Sequence, residues 1–201
     1  MFLKLLNIYL TILLGLVAVI GDYLVAHSNL HLFQAIFDNA THAVIGGLTW
    51  FFYRHNYKNY LAIDTIKEIA LCTLLSSCID LDHFIAAHSI HLKDATNLQS
   101  RPFLHCTTYP LAFVLFVLTS SVYCKSGLLK TAGLLLLAAF ASHHTRDATR
   151  RGFWLHPFGS TPPIPYYVYV GITCFIPYVI CGLHYVIKVE RMEYFNKTTV
   201  I

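Results

Sequence analysis

This chain is dominated by apolar runs of the length a helix needs to cross a bilayer, about 20 residues. Six such runs can be read: Leu5 to Ala26, Ile36 to Tyr53, Leu61 to Ile79, Phe103 to Cys124, Leu128 to Ser142, and Ile164 to Ile187. The third is interrupted by Asp64, Lys67 and Glu68, and the fifth is short, so the second, third and fifth are expected to be partly shielded by neighbours. Long unalternating stretches, such as Leu128 to Phe140, exclude the period-two strands of a closed barrel. Composition agrees: 12% of residues are charged and 56% hydrophobic, where a soluble domain carries roughly 25% charged residues. The expected fold is all-α, a polytopic membrane helix bundle of about six transmembrane helices. It forms a single integral membrane domain over residues 1–201 with no length left for a soluble enzyme module.

Lys4 before the first run resembles the start of a secretory signal, but no A-x-A cleavage site follows, so an uncleaved first helix is expected. The Pro-rich stretch Ser160 to Pro165 forces an extended entry to the last run. With six spans both termini share a side. Lys4, Arg54, Lys58, Lys67, Lys125, Lys130, Lys188, Arg191 and Lys197 fall there, nine of the fourteen bases. The positive-inside tendency then places both termini in the cytosol. The net charge of +4 is accounted for by these flanking bases, and no polybasic patch points to a nucleic-acid partner.

Acids and histidines collect at the ends of the runs that face the other side. Asp38 with His42, Asp80-Leu-Asp-His83, Arg101 with His105, and His143, His144 with Asp147 make four such groups. An ionisable group at the centre of a membrane helix costs about 2.5 to 3.5 kcal/mol on insertion scales, so such groups are normally paired, metal-bound or functional. Asp38 and His42 are four residues apart, as are His143 and Asp147, which puts each pair on one helix face. Asp80 and His83 share a face at a spacing of three, whereas Asp82 points elsewhere unless the helix ends there. Carboxylates mixed with neutral imidazoles suit zinc, manganese or iron, and a carboxylate beside a ligating His commonly orients it.

Plainer roles are available to several of these residues. Asp147 has Arg150 and Arg151 at i+3 and i+4, Asp38 can cap a helix, and Asp22 can serve as a polar contact between helices. His27, His31, His55, His88, His91, His156 and His184 read as interfacial or packing residues. The six cysteines lack any C-x-x-C spacing and read as small apolar packing residues. The aromatic stretches FWLHPFG and PYYVYV fit an interfacial belt.

THAVIGG from Thr41, DLDH from Asp80, RPFLHC from Arg101 and SHHTRDATRRGFWLHP from Ser142 resemble, in order, the motifs of the YdjM-like membrane-bound metal-dependent hydrolases. The likeness covers about residues 41–157, and a further likeness to a family of eukaryotic transmembrane proteins extends over nearly the whole chain. The first resemblance implies that His42, Asp80, Asp82, His83, Arg101, His105, His143 and Asp147 occupy family motif positions. Ser100, Leu104 and Cys106 depart from the third motif, replacing its first His, its Thr and its Ser, and the spacer after Asp147 is about one residue shorter than the bacterial pattern.

What this implies is a divalent ion, zinc or manganese first, held by some of His42, Asp80, Asp82, His83, His105, His143 and Asp147. Such an ion lowers the pKa of bound water to about 7 in good sites. Asp82 or Asp147 is the candidate general base, and Arg101, Arg146 or Arg150 is suited to grip a phosphate. The expected reaction is hydrolysis of an anionic phosphoester at the surface of the lipid bilayer. The alternatives are a non-enzymatic multi-pass protein (scaffold, transporter or pseudoenzyme with a relict site) and, more remotely, a membrane di-iron oxygenase using the other His pairs.

Overall fold

The computed structural model describes residues 2–57 and 62–189. Lys58, Arg191, Lys197 and the sequon Asn196-Lys-Thr198 lie outside the described residues. Six long helices form the body: α1 (Phe2–His27), α2 (His31–His55), α3 (Ala62–Cys78), α6 (Thr108–Tyr123), α7 (Gly127–Arg151) and α8 (Tyr166–Val186). Between α3 and α6 come two short helices, α4 (Leu81–Ala87) and α5 (Leu92–Ala95), and a 3-10 turn over Phe103–His105. Among the described residues there is no strand, only isolated bridges joining Cys106 to Trp154 and Trp154 to Ser160. The fold is an all-α membrane helix bundle, and each expected apolar run corresponds to a long helix.

Helices α2 and α7 sit at the centre. α2 packs on α1, α3, α7 and α8, and α7 packs on α2, α3, α6 and α8. This placement explains why their sequences are the more polar ones. Three segments are long and apolar enough to cross a membrane by themselves, Lys4–His27, Ile63–Ala87 and Tyr166–Val186, with Thr108–Tyr123 apolar but shorter. α2 and α7 instead turn His42, Arg54, Lys130, His143 and Arg146 inward, where all five are buried and a membrane bundle can supply partners. The third run is shielded on one face only: Cys72 and Ser76 on α3 are buried against α2 and α7, while Leu71 and Leu74 are exposed. Its Glu68 is accounted for at the far end of the bundle, where Trp50 Nε1–H donates to it at 3.0 Å and Arg54 Nε approaches it at 2.8 Å.

Close approach between α2 and α3 depends on glycine. A Cβ on Gly46 would stand 1.9 Å from Ser76 Oγ, and one on Gly47 would stand 2.3 Å from Thr73 Oγ1, so small residues let these backbones meet as they do in membrane bundles generally. Asn39 Nδ2 donates to the Ser77 carbonyl at 3.1 Å on the same seam.

At the opposite end from Glu68, α3 stops at Cys78 and the chain turns before α4. The bonds Asp82 N–H to Ile79 O and His83 N–H to Asp80 O are of the tight i to i+3 kind. α7 does not stop at Ser142, where its apolar stretch ends, but continues to Arg151, so His143 and Asp147 stand on the same helix. Gly152 then takes a positive φ of 69°, and the chain to Ile164 folds back, Ile164 N–H donating to the Ala148 carbonyl at 3.0 Å. Parts of α2, α4 and α7, the turn after α3 and the turn at residues 103–105 thereby meet around one space.

Candidate metal centre

Two overlapping sets of ligand atoms occupy that space. One atom from each of His42, Asp80, His143 and Asp147 lies within 4.8 Å of the others, and the same holds for Asp80, His83 and His105, so Asp80 belongs to both. His42 comes from α2, Asp80 from the turn after α3, His83 from α4, His105 from the 3-10 turn, and His143 and Asp147 from α7.

The hydrogen bonds behind the rings decide which atoms face inward. His83 Nδ1 lies 3.0 Å from the Ala95 carbonyl, and His143 Nδ1 lies 2.9 Å from the Ser76 carbonyl. A carbonyl can only accept, so each Nδ1 carries a hydrogen, and each ring turns its Nε2 to the centre, where it offers a lone pair whenever the ring is neutral. His105 stands between them, its Nε2 at 3.3 Å from His83 Nε2 and 3.4 Å from His143 Nε2. The same atom is 3.4 Å from Asp80 Oδ1 and 3.3 Å from Asp147 Oδ2. A proton on Nε2 can be directed at only one of four neighbouring acceptors.

Asp82 stands behind this ring. Its Oδ2 accepts the Leu104 N–H at 2.8 Å and lies 3.2 Å from His105 Nδ1, on the side of the imidazole away from Nε2. The turn at Ile79–Asp80 directs Asp82 inward, 6% exposed, where an uninterrupted helix would have carried it away from Asp80. Asp82 is absent from both ligand sets and is placed to orient His105, the carboxylate–histidine arrangement that commonly supports a metal ligand.

Asp147 faces His143 at 3.2 Å, His105, and His42 at 3.5 Å. Arg150 goes elsewhere: its Nη2 meets Asp38 Oδ1 at 2.6 Å. Asp38 also pairs with Arg146, which is 1% exposed and holds Asp22 Oδ1 at 2.8 Å. The expected contact of Asp22 between helices is therefore present, joining α1 to α7. Asp38 lies inside α2, seven residues and about two turns past its start at His31, so it does not cap that helix and acts instead through these arginines. His42 links the two networks, its ring stacked on His143 with centroids 3.8 Å apart and its Nε2 accepting from Arg146 Nη1 at 3.2 Å.

Arg101 donates to the carbonyls of Gly152, at 3.0 Å, and Arg151, closing the end of α7. It still lines, with Asp80, His83, His105, Asp147 and Arg150, a cavity of about 240 Å³. Of the three arginines considered for an anion, Arg146 is enclosed and neutralised by two acids, whereas Arg101 and Arg150 border the cavity together with Arg151. His144 spends both nitrogens: Nε2 donates to the Leu104 carbonyl at 2.9 Å, leaving Nδ1 to accept from Thr107 Oγ1 at 2.9 Å. The contributions of the Ser76 and Ala95 carbonyls have no sequence signal, since every residue has one. All six cysteines are free, and Cys106 Sγ points to the Trp154 carbonyl at 3.7 Å.

An all-α bundle whose outer helices are apolar and whose central pair carries a polar centre at one end defines a multi-pass integral membrane protein. Over 75% of its length the chain is 41% identical to transmembrane protein 267 of Xenopus laevis, covering 68% of that protein. It is 38% identical to the Danio rerio protein of the same name over 79% of its length, covering 71% of that protein, and 37% identical to the Mus musculus one over 76%, covering 69%. The chain belongs to the transmembrane protein 267 family. No protein-family model matches it, and no solved structure matches it.

Proposed function

We propose that this protein is a membrane-bound, metal-dependent hydrolase acting on a phosphoester at the membrane surface, related in its centre to the YdjM-like hydrolases. The observation that carries the reading is the convergence of the His83, His105 and His143 Nε2 atoms, 3.3 to 3.4 Å apart in sequence of contact, upon the carboxylates of Asp80 and Asp147. Three nitrogens and two acids with their other atoms already engaged form a donor set that fits a divalent ion of the zinc or manganese kind. His42, Asp80, His143 and Asp147 would hold one ion, and Asp80, His83 and His105 a second position.

Bound there, such an ion supplies Lewis acidity and a water of lowered pKa. The remaining chemistry belongs to side chains. Asp82 fixes the His105 ring through Nδ1. With an ion at the Asp80, His83 and His105 position alone, Asp147, which borders the cavity, would be the carboxylate left to take a proton on the substrate side, since Asp82 is engaged behind His105. Arg101, Arg150 and Arg151 around the same cavity complement an anionic oxygen of the substrate. Both termini lie in the cytosol and the centre faces the lumen or exterior.

A non-enzymatic role is the second reading. It is favoured by the network of Arg146, Arg150, Asp22 and Asp38, which balances two positive charges with two negative ones and needs no ligand. Elemental analysis of the purified protein decides between them, alongside turnover of a chromogenic phosphoester. Bound zinc or manganese, with turnover lost in Asp147→Asn, is the expected result. Absence of metal after reconstitution with either ion would reject the hydrolase reading.

A further inference from the structure

A second cavity, of about 170 Å³, lies in the cleft between α6 and α7. Its walls are Pro110, Leu111 and Val114 from α6 and Leu137, Phe140 and Ala141 from α7. It is almost wholly apolar along this length. Thr107 and His144, joined by their 2.9 Å hydrogen bond, line this cavity and the polar one alike. One polar pair thus separates an apolar cleft from a space bordered by Asp80, His105, Asp147 and three arginines.

The cleft has a direction. From Thr107 to Val114 the helix rises seven residues, about 10 Å at 1.5 Å per residue. It descends from the polar end of the bundle toward its middle, covering about a third of the 30 Å hydrocarbon core. Val114 forms a buried floor, while Leu111 at the mouth is 46% exposed, and Phe113, Leu115 and Phe116 on the outer side of α6 are exposed as lipid-facing residues are. A small soluble ester would leave such a cleft without a function. A lipid would fill it while its headgroup reached the cavity above.

We propose that the substrate is an amphiphile, a phosphate ester of a long hydrocarbon chain, which enters from the bilayer with its phosphate against Arg101, Arg150 and Arg151 and its chain laid between α6 and α7. This rests on the hydrolase reading of the polar centre and specifies its substrate class. The Thr107–His144 pair is the wall past which the ester bond must lie, and Leu111, Ala141 and Val114 hold the chain.

The test uses the full chain in phosphatidylcholine nanodiscs and a hexadecyl phosphate carrying a diazirine at mid-chain, with labelled peptides mapped by mass spectrometry. Labelling is expected to concentrate on residues 107–114 and 137–145 relative to the lipid-facing side of α1. Ala141→Trp, which fills the cleft, should lower it there by about tenfold, equivalent to roughly 1.4 kcal/mol of lost preference, with metal content unchanged. Leu111→Trp at the mouth provides the same test should Ala141→Trp fail to fold. Excess ethyl phosphate should compete, because it occupies the same headgroup position.

Uniform labelling of α1 and the cleft, in protein that binds metal and ethyl phosphate, would overturn the amphiphile proposal and leave the hydrolase reading standing. Cleft labelling that ethyl phosphate does not compete would overturn it as well, since chain and headgroup sites would then be unconnected. Loss of both metal and ethyl phosphate binding in the parent protein would remove the hydrolase reading and this inference with it.

Discussion

His83 and His105 face each other through Nε2 atoms 3.3 Å apart, and each ring is held from behind, one by the Ala95 carbonyl and the other by Asp82. Two imidazoles so arranged cannot both direct a hydrogen at the other. With Asp80 beside them they form the smaller of the two ligand sets, and Asp80 ties that set to His42, His143 and Asp147.

The sharing of Asp80 makes the two positions separable by mutation. His83→Ala should remove the ion held by Asp80, His83 and His105 and leave the other, lowering bound metal from about two ions per chain to about one, as expected of paired sites. Asp80→Asn should deplete both. Elemental analysis of the folded variants checks this, and equal metal in the two variants would contradict the shared-ligand arrangement.

Asp82 is predicted to behave more mildly than Asp80. An amide at this position still offers an oxygen to the Leu104 N–H or to His105 Nδ1, but it loses the charge that fixes the ring. Supporting residues of this kind typically alter metal affinity by about 10- to 100-fold. Asp82→Asn is therefore expected to weaken affinity within that range, measured by competition with a chelator, without the complete loss expected of a ligand.

The difference between these two acids shows where the sequence stops being legible. The apolar runs gave the six long helices, and the spacing of four placed His143 and Asp147 on one face of α7. The inward turn of Asp82 was left open by the spacing, because it depends on whether α3 ends at Cys78, as it does, or continues through DLDH. The partners of Arg146 were hidden, since Asp22 and Asp38 come from helices more than 100 residues away. His144, adjacent to a proposed ligand, proves to brace Thr107 and Leu104, a role set by which side of α7 it occupies.

Arg146 should be a stability residue. Its removal leaves Asp22 and Asp38 with less positive charge at a buried helix junction, and breaking a buried pair from one side typically costs about 3 to 5 kcal/mol. Arg146→Met is expected to lower the unfolding midpoint in detergent markedly. Arg146→Lys should recover only part of it, because a point charge cannot reach two carboxylates in the forked geometry of a guanidinium. A midpoint unchanged in Arg146→Met would show that the network contributes nothing to the fold.

Orientation has its own test. Arg54 and Lys130 are buried, with Arg54 paired to Glu68 and Lys130 donating to the His184 carbonyl, and Arg146 is likewise enclosed at the other end. Discounting them leaves Lys4, Lys58, Lys67, Lys125, Lys188, Arg191 and Lys197 with the termini, against Lys93, Arg101, Arg150 and Arg151. The bias keeps its sign. A glycosylation acceptor appended to the C-terminus should remain unmodified, and a glycosylated, protease-protected tail in microsomes would reverse the assignment.

Packing on the α2–α3 seam is tied to the centre through Gly46. Ser76 stands against Gly46 on the α2–α3 seam, and the Ser76 carbonyl is the group that fixes His143. A methyl group on Gly46 would stand 1.9 Å from Ser76 Oγ, so α3 must move or Ser76 must turn away. Overpacking of this sort costs about 1 to 3 kcal/mol. It also shifts the acceptor behind His143 and the turn carrying Asp80, both of which ride on α3. Gly46→Ala is therefore expected to reduce stability and metal affinity together. Ser76→Gly introduced alongside it removes the opposing hydroxymethyl group while keeping the carbonyl, and should restore much of both. Recovery of stability without recovery of metal binding would show that the seam supports the fold alone and does not set the geometry of the centre.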